Sequence, residues 1–100
     1  MNPTNYTPGP WRQTGVNVRA GDALICWVTD HYFNIETSNS EKFANARLIA
    51  SAPELLRALE LALSWLESAQ ADQPEDWQDN RLRDAVNSAR AIISKAKGEA

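Results

Sequence analysis

The spacing of apolar residues changes along the chain and divides it into three parts. Residues 1–10 are rich in proline, which lacks an N–H and fixes φ, so this segment is expected to be an extended arm. Between residues 11 and 37 apolar and polar positions alternate, the period of a half-buried strand. From residue 39 to residue 97 apolar residues recur every three or four positions, the period of an amphipathic helix. The pattern predicts a single α+β domain.

The middle part predicts a three-stranded antiparallel β-meander. Val16 and Val18 alternate with polar neighbours and indicate the first strand. A Gly-Asp pair at 21–22 supplies a two-residue turn, because glycine tolerates positive φ. The apolar run at 23–28 is the expected partner strand, and the alternating segment 32–37 is the expected third strand.

The last part predicts a kinked long helix followed by a C-terminal antiparallel helical hairpin. A capping box at 38–41 begins the helical region. A second capping box begins at Ser51 and contains Pro53, so we expect a break or sharp kink there, because interior proline costs about 3 kcal/mol. A short polar link over 69–73 precedes the final helix, which Gly98 should end.

A helical wheel of the run 43–66 gives one broad apolar stripe and a second apolar side. The stripe comprises Ala44, Leu48, Ile49, Ala52, Leu55, Leu56, Leu59, Ala62, Leu63 and Leu66. Asn45 falls inside this stripe, so its amide is expected to point toward the sheet. Phe43, Leu61 and Trp65 lie off the stripe. A helix with two apolar sides contacts two neighbours, and in so short a chain a second subunit is the natural candidate.

Composition narrows the classes of function. The formal charge of -3 argues against direct nucleic-acid binding, which is associated with a basic surplus. A single cysteine, Cys26, excludes an intramolecular disulfide and fits a reducing compartment. The N-terminus has no signal-peptide pattern, and no apolar run of about 18 residues would span a membrane. We therefore expect a soluble, intracellular protein with no membrane association.

The sequence offers little for catalysis. Its one histidine, His31, follows Asp30, but adjacent side chains usually point apart and no nucleophile is evidently placed near them. One cysteine and one histidine are too few for a zinc site, and no glycine-rich phosphate loop precedes a helix. We therefore predict a non-enzymatic protein without metal or cofactor.

Binding residues are better represented. Trp27, Tyr32 and Phe33 lie in or beside the predicted sheet, and Asn45 and Arg47 open the first helix. An aromatic ring stacks on a base, an amide binds a base edge, and a guanidinium binds phosphate oxygens. The alternative is structural: Phe33 lies in the core, Asn45 caps a carbonyl, and Arg47 pairs with a glutamate.

Large apolar residues outside the core stripe indicate a partner interface. Phe43, Leu61 and Trp65 form the second side of the long helix, and Trp77 lies near the tip of the predicted hairpin. Tryptophan is enriched at binding hot spots, so these residues are candidates for an oligomer or partner interface. Trp65 and Trp77 could equally pack on each other.

Two phrases identify a resemblance. The phrase YTPGPW at 6–11, and ANARLIA at 44–50 followed by APELL at 52–56, resemble a group of small phage and prophage proteins. In that group a TPGPW-like opening precedes a short β region and an ANARLIAxAPELLxAL-like helix. The similarity covers about residues 6 to 60. It implies a phage genome as the source and does not by itself imply an activity.

The chain is also similar to phage proteins that sequester cyclic ADP-ribose-type signals of the Thoeris defence system. That resemblance implies an oligomeric, cytoplasmic sponge that holds a small nucleotide near Phe33, Asn45 and Arg47. The last helix lacks a convincing pair of arginines, which departs from that pattern. Two alternatives remain: an inhibitor that binds a host defence protein, and a phage accessory protein with no defence role.

Overall fold

The structure, a computed structural model, describes residues 6–29, 39–72 and 80–99. It contains β1 (Arg12–Thr14), β2 (Asn17–Ala20), β3 (Ala23–Trp27), α1 (Asn39–Ala50), α2 (Ala52–Ala71) and α3 (Asn80–Lys97). The predicted α+β class, with an antiparallel three-stranded sheet followed by helices, is confirmed. The chain divides into two compact units, Met1–Glu54 and Leu55–Ala100.

The sheet belongs to the first unit and has the order β1-β2-β3. The predicted turn between β2 and β3 is confirmed, and Gly21 adopts a positive φ of 59° there. The strand that completes the described sheet is β1, which joins β2 through a turn at Gly15. The sequence pattern missed β1 because its residues, Arg-Gln-Thr, have no apolar alternation. The predicted strand at 32–37 lies outside the described residues.

The core of the first unit lies between the sheet and α1. Val18 of β2 is fully buried against Ala46 and Ala50 of α1. The small alanine side chains let the helix approach the sheet closely. Four partly buried residues surround this cluster: Trp11, Ile25, Cys26 and Val28. Trp11 also donates a hydrogen bond from Nε1 to the Thr7 carbonyl oxygen at 3.0 Å, so it ties the N-terminal arm to the core.

The predicted apolar stripe is wrong for α1. Leu48 is 64% exposed and Ala44 is exposed, whereas Ala46 and Ala50 face the sheet. Asn45 is also exposed, contrary to the expectation that its amide points inward. The helical wheel treats residues 43–66 as one continuous helix, although the helix breaks before Pro53. The leucines after the break therefore determined which side of α1 was predicted to be apolar. Small alanines contribute little to such a pattern even where they form the core.

The predicted helix break is confirmed at Ser51. Its N–H donates to the carbonyl oxygens of Arg47 and Leu48, both at 3.1 Å, and its hydroxyl donates to Arg47 O at 3.0 Å. Pro53 has no N–H with which to continue the α1 ladder. Gly9 of the arm lies against this junction, since a Cβ on Gly9 would be 3.2 Å from Cβ of Pro53. The TPGPW and APELL phrases therefore meet in the structure.

Substitution of Gly9 tests this contact. Gly9→Ala places a methyl group closer to Pro53 than is usual for side-chain carbons. We expect a loss of about 1 kcal/mol in the free energy of unfolding, the lower end of the cost of overpacking. Urea denaturation followed by circular dichroism measures it. An unchanged midpoint would mean that the arm does not pack on the helix junction.

In the second unit, α2 and α3 form the predicted antiparallel hairpin. Nη2 of Arg90 lies 2.6 Å from Glu67 Oε2, and Nζ of Lys97 lies 3.2 Å from Glu60 Oε2. From Arg90 to Lys97 the chain advances seven residues along α3, while the paired glutamates go back seven residues along α2, from Glu67 to Glu60. The two helices are therefore antiparallel, and the ion pairs define their register. Both pairs are partly exposed to solvent, so each contributes little to stability, typically about 0.2–1 kcal/mol.

The hairpin core is a seam of the coiled-coil type. On α3 the buried residues are Val86, Ala89 and Ile93. On α2 the residues of reduced exposure recur at alternating steps of three and four: Leu56, Leu59, Leu63 and Leu66. This spacing keeps one line of side chains directed at the partner helix. Four predicted leucines of α2 thus have the spacing of a hairpin core, although none of them is fully buried. The predicted stripe is wrong for Ala52, Leu55 and Ala62, which are exposed.

The ends of the hairpin helices differ in part from expectation. Helix α2 continues through Ala71, within the segment predicted as a polar link. The predicted start of the last helix, directly after the polar link, lies outside the described residues. Its predicted end is confirmed, because Gly98 has a φ of 76° and the N–H of Glu99 donates to Ser94 O at 2.8 Å.

Candidate functional site

The residues predicted to bind a ligand are not brought together by the described structure. Tyr32 and Phe33 lie outside the described residues. Asn45 and Arg47 are exposed on α1, on either side of the buried Ala46. Because α1 covers one face of the sheet and Trp27 lies on the other, Trp27 does not share a surface with the two helical residues. A common site at these five positions remains a prediction.

The face of the sheet that points away from α1 has its own set of polar and aromatic residues. Side chains alternate along a strand, so the inward direction of Val18 places Arg19 outward. Arg12 of β1 and Leu24 of β3 pair with Arg19 and share its side. We define the outer sheet face by six residues: Arg12, Thr14, Asn17, Arg19, Leu24 and Trp27. Trp27 is 60% exposed there.

Two arginines face each other on the outer sheet face. Arg12 and Arg19 are direct cross-strand partners in the β1-β2 ladder. Neither guanidinium forms a hydrogen bond or an ion pair with the part of the chain that the structure describes. Sequence reasoning missed this pair because it did not predict β1. The turn-forming glycine at position 15, between Thr14 and Val16, was the available signal.

The predicted interface residues fall in different parts of the chain. Trp77 lies outside the described residues. Phe43 belongs to the first unit and packs over the β1-β2 turn, since a Cβ on Gly15 would be 3.9 Å from Phe43 Cε1. Leu61 and Trp65 belong to α2 in the second unit and are 63% and 72% exposed. Phe43 therefore has a neighbour within its own unit, whereas Leu61 and Trp65 remain open to solvent.

Trp65 is part of an exposed, mainly apolar surface on the hairpin. On both helices an exposed apolar residue comes directly before a residue of the inward seam, as Trp65 precedes Leu66 and Ile92 precedes Ile93. We define the apolar hairpin face by eight exposed apolar residues on this side of the two helices: Leu55, Ala58, Ala62, Trp65 and Ala69 on α2, and Ala85, Ile92 and Ala96 on α3. Ser88, which precedes the seam residue Ala89, is a polar residue in the same line. Leu61 lies at the edge of this face, one turn before Trp65.

These two lines of residues lie on the same side of the hairpin. A step of one residue rotates the side chain by about 100° around the helix axis. Antiparallel helices are related by a two-fold axis perpendicular to the plane that contains both helix axes. Residues displaced from the seam by the same angle on each helix therefore lie on the same side of the hairpin. The charged partners Glu60, Glu67 and Arg90 each come directly after a seam residue and lie on the opposite side. Both ion pairs therefore lie on one side of the hairpin, and the apolar hairpin face lies on the other.

The ion pairs also fix which residues stand side by side. Trp65 is two residues before Glu67, and Ile92 is two residues after Arg90, so both occupy the same level of the hairpin. Trp65 is 72% exposed and Ile92 is 55% exposed. Two large exposed side chains of the apolar hairpin face therefore lie at the same height, one on each helix.

The described residues contain no cluster of three or more metal-ligating side chains. Within the same residues, no helix has both the length and the apolar character needed to cross a membrane. The thiol of Cys26 is free and half-buried beside the sheet core.

A family model described as Salmonella phage P22 protein Y8K6 matches residues 1–100 of the chain. No curated protein and no solved structure matches it.

Proposed function

The chain belongs to the Salmonella phage P22 protein Y8K6 family, and from that premise we propose that it is a non-catalytic phage protein that acts by binding, as a homodimer. The apolar hairpin face supports this proposal. It places Trp65 and Ile92 at the same level of the hairpin, and both are largely exposed. An exposed apolar surface of this kind is typical of a protein-protein interface.

A second copy of the chain is the partner that best fits this face. A helix of 20 residues is about 30 Å long and a packed pair is about 20 Å wide, so the face covers on the order of 600 Å². Burial on both copies removes about 1,200 Å² from solvent, the lower limit of a standard interface. Two hairpins packed in this way form a four-helix bundle, in which a two-fold axis parallel to the helices sets Trp65 against Ile92 of the other copy.

Multi-angle light scattering of the purified full chain tests the dimer. We expect twice the monomer mass of 11.1 kDa at micromolar concentration. A monomer at every concentration would reject self-association and leave the apolar hairpin face for a different protein. The protein-inhibitor alternative predicts that outcome, together with a host protein that co-purifies only when Trp65 is intact.

Antagonism of host antiviral defence in the host cytoplasm is the biological role that we propose for this binding. The resemblance of the sequence phrases to phage anti-defence sponges supports it, and a small signalling nucleotide is the leading target. Expression in host strains that each carry one defence system tests the role. We expect phage plating to recover in at least one strain. Unchanged plating across the whole set would favour an accessory role without defence.

A further inference from the structure

The outer sheet face presents two positive charges at one point without neutralising them. Cross-strand partners such as Arg12 and Arg19 have Cβ atoms about 5 Å apart, and like charges in that position destabilise a sheet. The chain has 13 acidic residues, yet none pairs with either guanidinium among the described residues. An anion bound between the two side chains would offset the repulsion between the guanidinium groups, because it attracts both.

Phosphate is the anion that this arrangement fits best. Guanidinium groups form two parallel hydrogen bonds to phosphate oxygens, and two of them on neighbouring strands can approach one phosphate group from both sides. Arg12 is exposed and Arg19 is half-buried, so a ligand can reach both side chains from solvent.

An aromatic platform lies one row further along the same face. Trp27 pairs with Asn17, which is two residues from Arg19 on β2, so its row lies about 7 Å from the arginine row. Its ring is 60% exposed and offers a surface on which a base can stack. We propose that the outer sheet face binds a nucleotide, with the phosphate between Arg12 and Arg19 and the base on Trp27.

A small nucleotide fits better than a polynucleotide. The net charge of the chain is -3, and the face offers two cations where backbone binding needs a longer basic track. The inference gives a site to the proposed sequestration of a nucleotide, and its role in defence rests on that proposal. Its structural basis is separate, because the outer sheet face belongs to the first unit and the apolar hairpin face to the second.

Titration of the full chain with adenosine monophosphate tests the site. We expect millimolar nucleotide to raise the melting temperature, because a ligand that binds only the folded state stabilises it. The double variant Arg12→Gln/Arg19→Gln should weaken binding, measured by calorimetry, about tenfold or more. Its melting temperature without ligand should equal or exceed that of the unmodified chain, since the repulsion is gone. Arg57→Gln, an exposed arginine of α2, is the matched control and should bind normally.

Ribose 5-phosphate separates the two parts of the site. Trp27→Ala should retain the response to ribose 5-phosphate and lose the added affinity for adenosine monophosphate. Equal nucleotide affinity in the double arginine variant, or no binding by the unmodified chain, would reject the site. Binding of a short oligonucleotide or an acidic peptide without binding of the mononucleotide would also reject it. These binding measurements do not depend on whether the protein is a monomer or a dimer. The nucleotide site and the dimer are therefore tested independently.

Discussion

Ala46→Leu is expected to lower the free energy of unfolding by about 2–3 kcal/mol, whereas Ala44→Leu should change it by less than about 0.5 kcal/mol. Both alanines lie on α1, two residues apart. Ala46 is fully buried against Val18, and Ala44 is exposed. Leucine and alanine have similar helix propensities, so the difference between the variants reports packing against the sheet.

Urea denaturation followed by circular dichroism measures both variants against the unmodified chain. The helical wheel built from the sequence predicts the opposite ranking, because it places Ala44 in the core and omits Ala46. A larger loss for Ala44→Leu would therefore mean that α1 packs with its leucine side on the sheet. Equal and small losses would mean that α1 does not pack closely on Val18.

The correct predictions depend on local signals. Glycine at position 21 permits the turn conformation that joins β2 and β3, and the absence of an N–H in Pro53 ends α1 at Ala50. The seam of α2 repeats leucine at steps of three and four, which indicates a helix that packs one side against a neighbour. Each of these features follows from a few neighbouring residues and needs no knowledge of the rest of the fold.

The wrong or missing predictions depend on contacts between distant residues. Nothing in the sequence near Ala46 shows that it packs on Val18, because alanine is equally suited to an exposed helix position. The pairing of Arg12 with Arg19 exists only when β1 forms, and β1 has no apolar residue to indicate a strand. The two candidate surfaces therefore differ in how far the sequence predicts them. Leu61 and Trp65 are predicted as interface residues from their position off the stripe, whereas the arginine pair is not predicted.

The two candidate surfaces differ in the kind of partner they suit. The outer sheet face combines two cations with one exposed aromatic ring, which suits a small anion with a planar group. The apolar hairpin face has no charged residue and is centred on Trp65 and Ile92, which suits another protein surface. A dimer through the second face would carry two copies of the first, so one assembly would hold two ligand molecules.

Trp65→Gln is expected to convert the dimer into a monomer and to weaken association at least about 100-fold. Truncation of a central interface residue such as an exposed tryptophan costs about 2 kcal/mol or more, and the substitution occurs once in each copy of a symmetric dimer. Analytical ultracentrifugation over a range of concentrations measures the change in dissociation constant.

Ser64→Gln is the matched control for this substitution. Ser64 is exposed, adjoins Trp65 on α2, and lies about 100° away around the helix, on the side of the ion pairs. It receives the same new side chain and should leave the dimer intact. Circular dichroism should show the same helix content in both variants, because glutamine is a good helix former. A dimer that persists in Trp65→Gln, or that dissociates equally in both variants, would place the interface on a different surface of the chain.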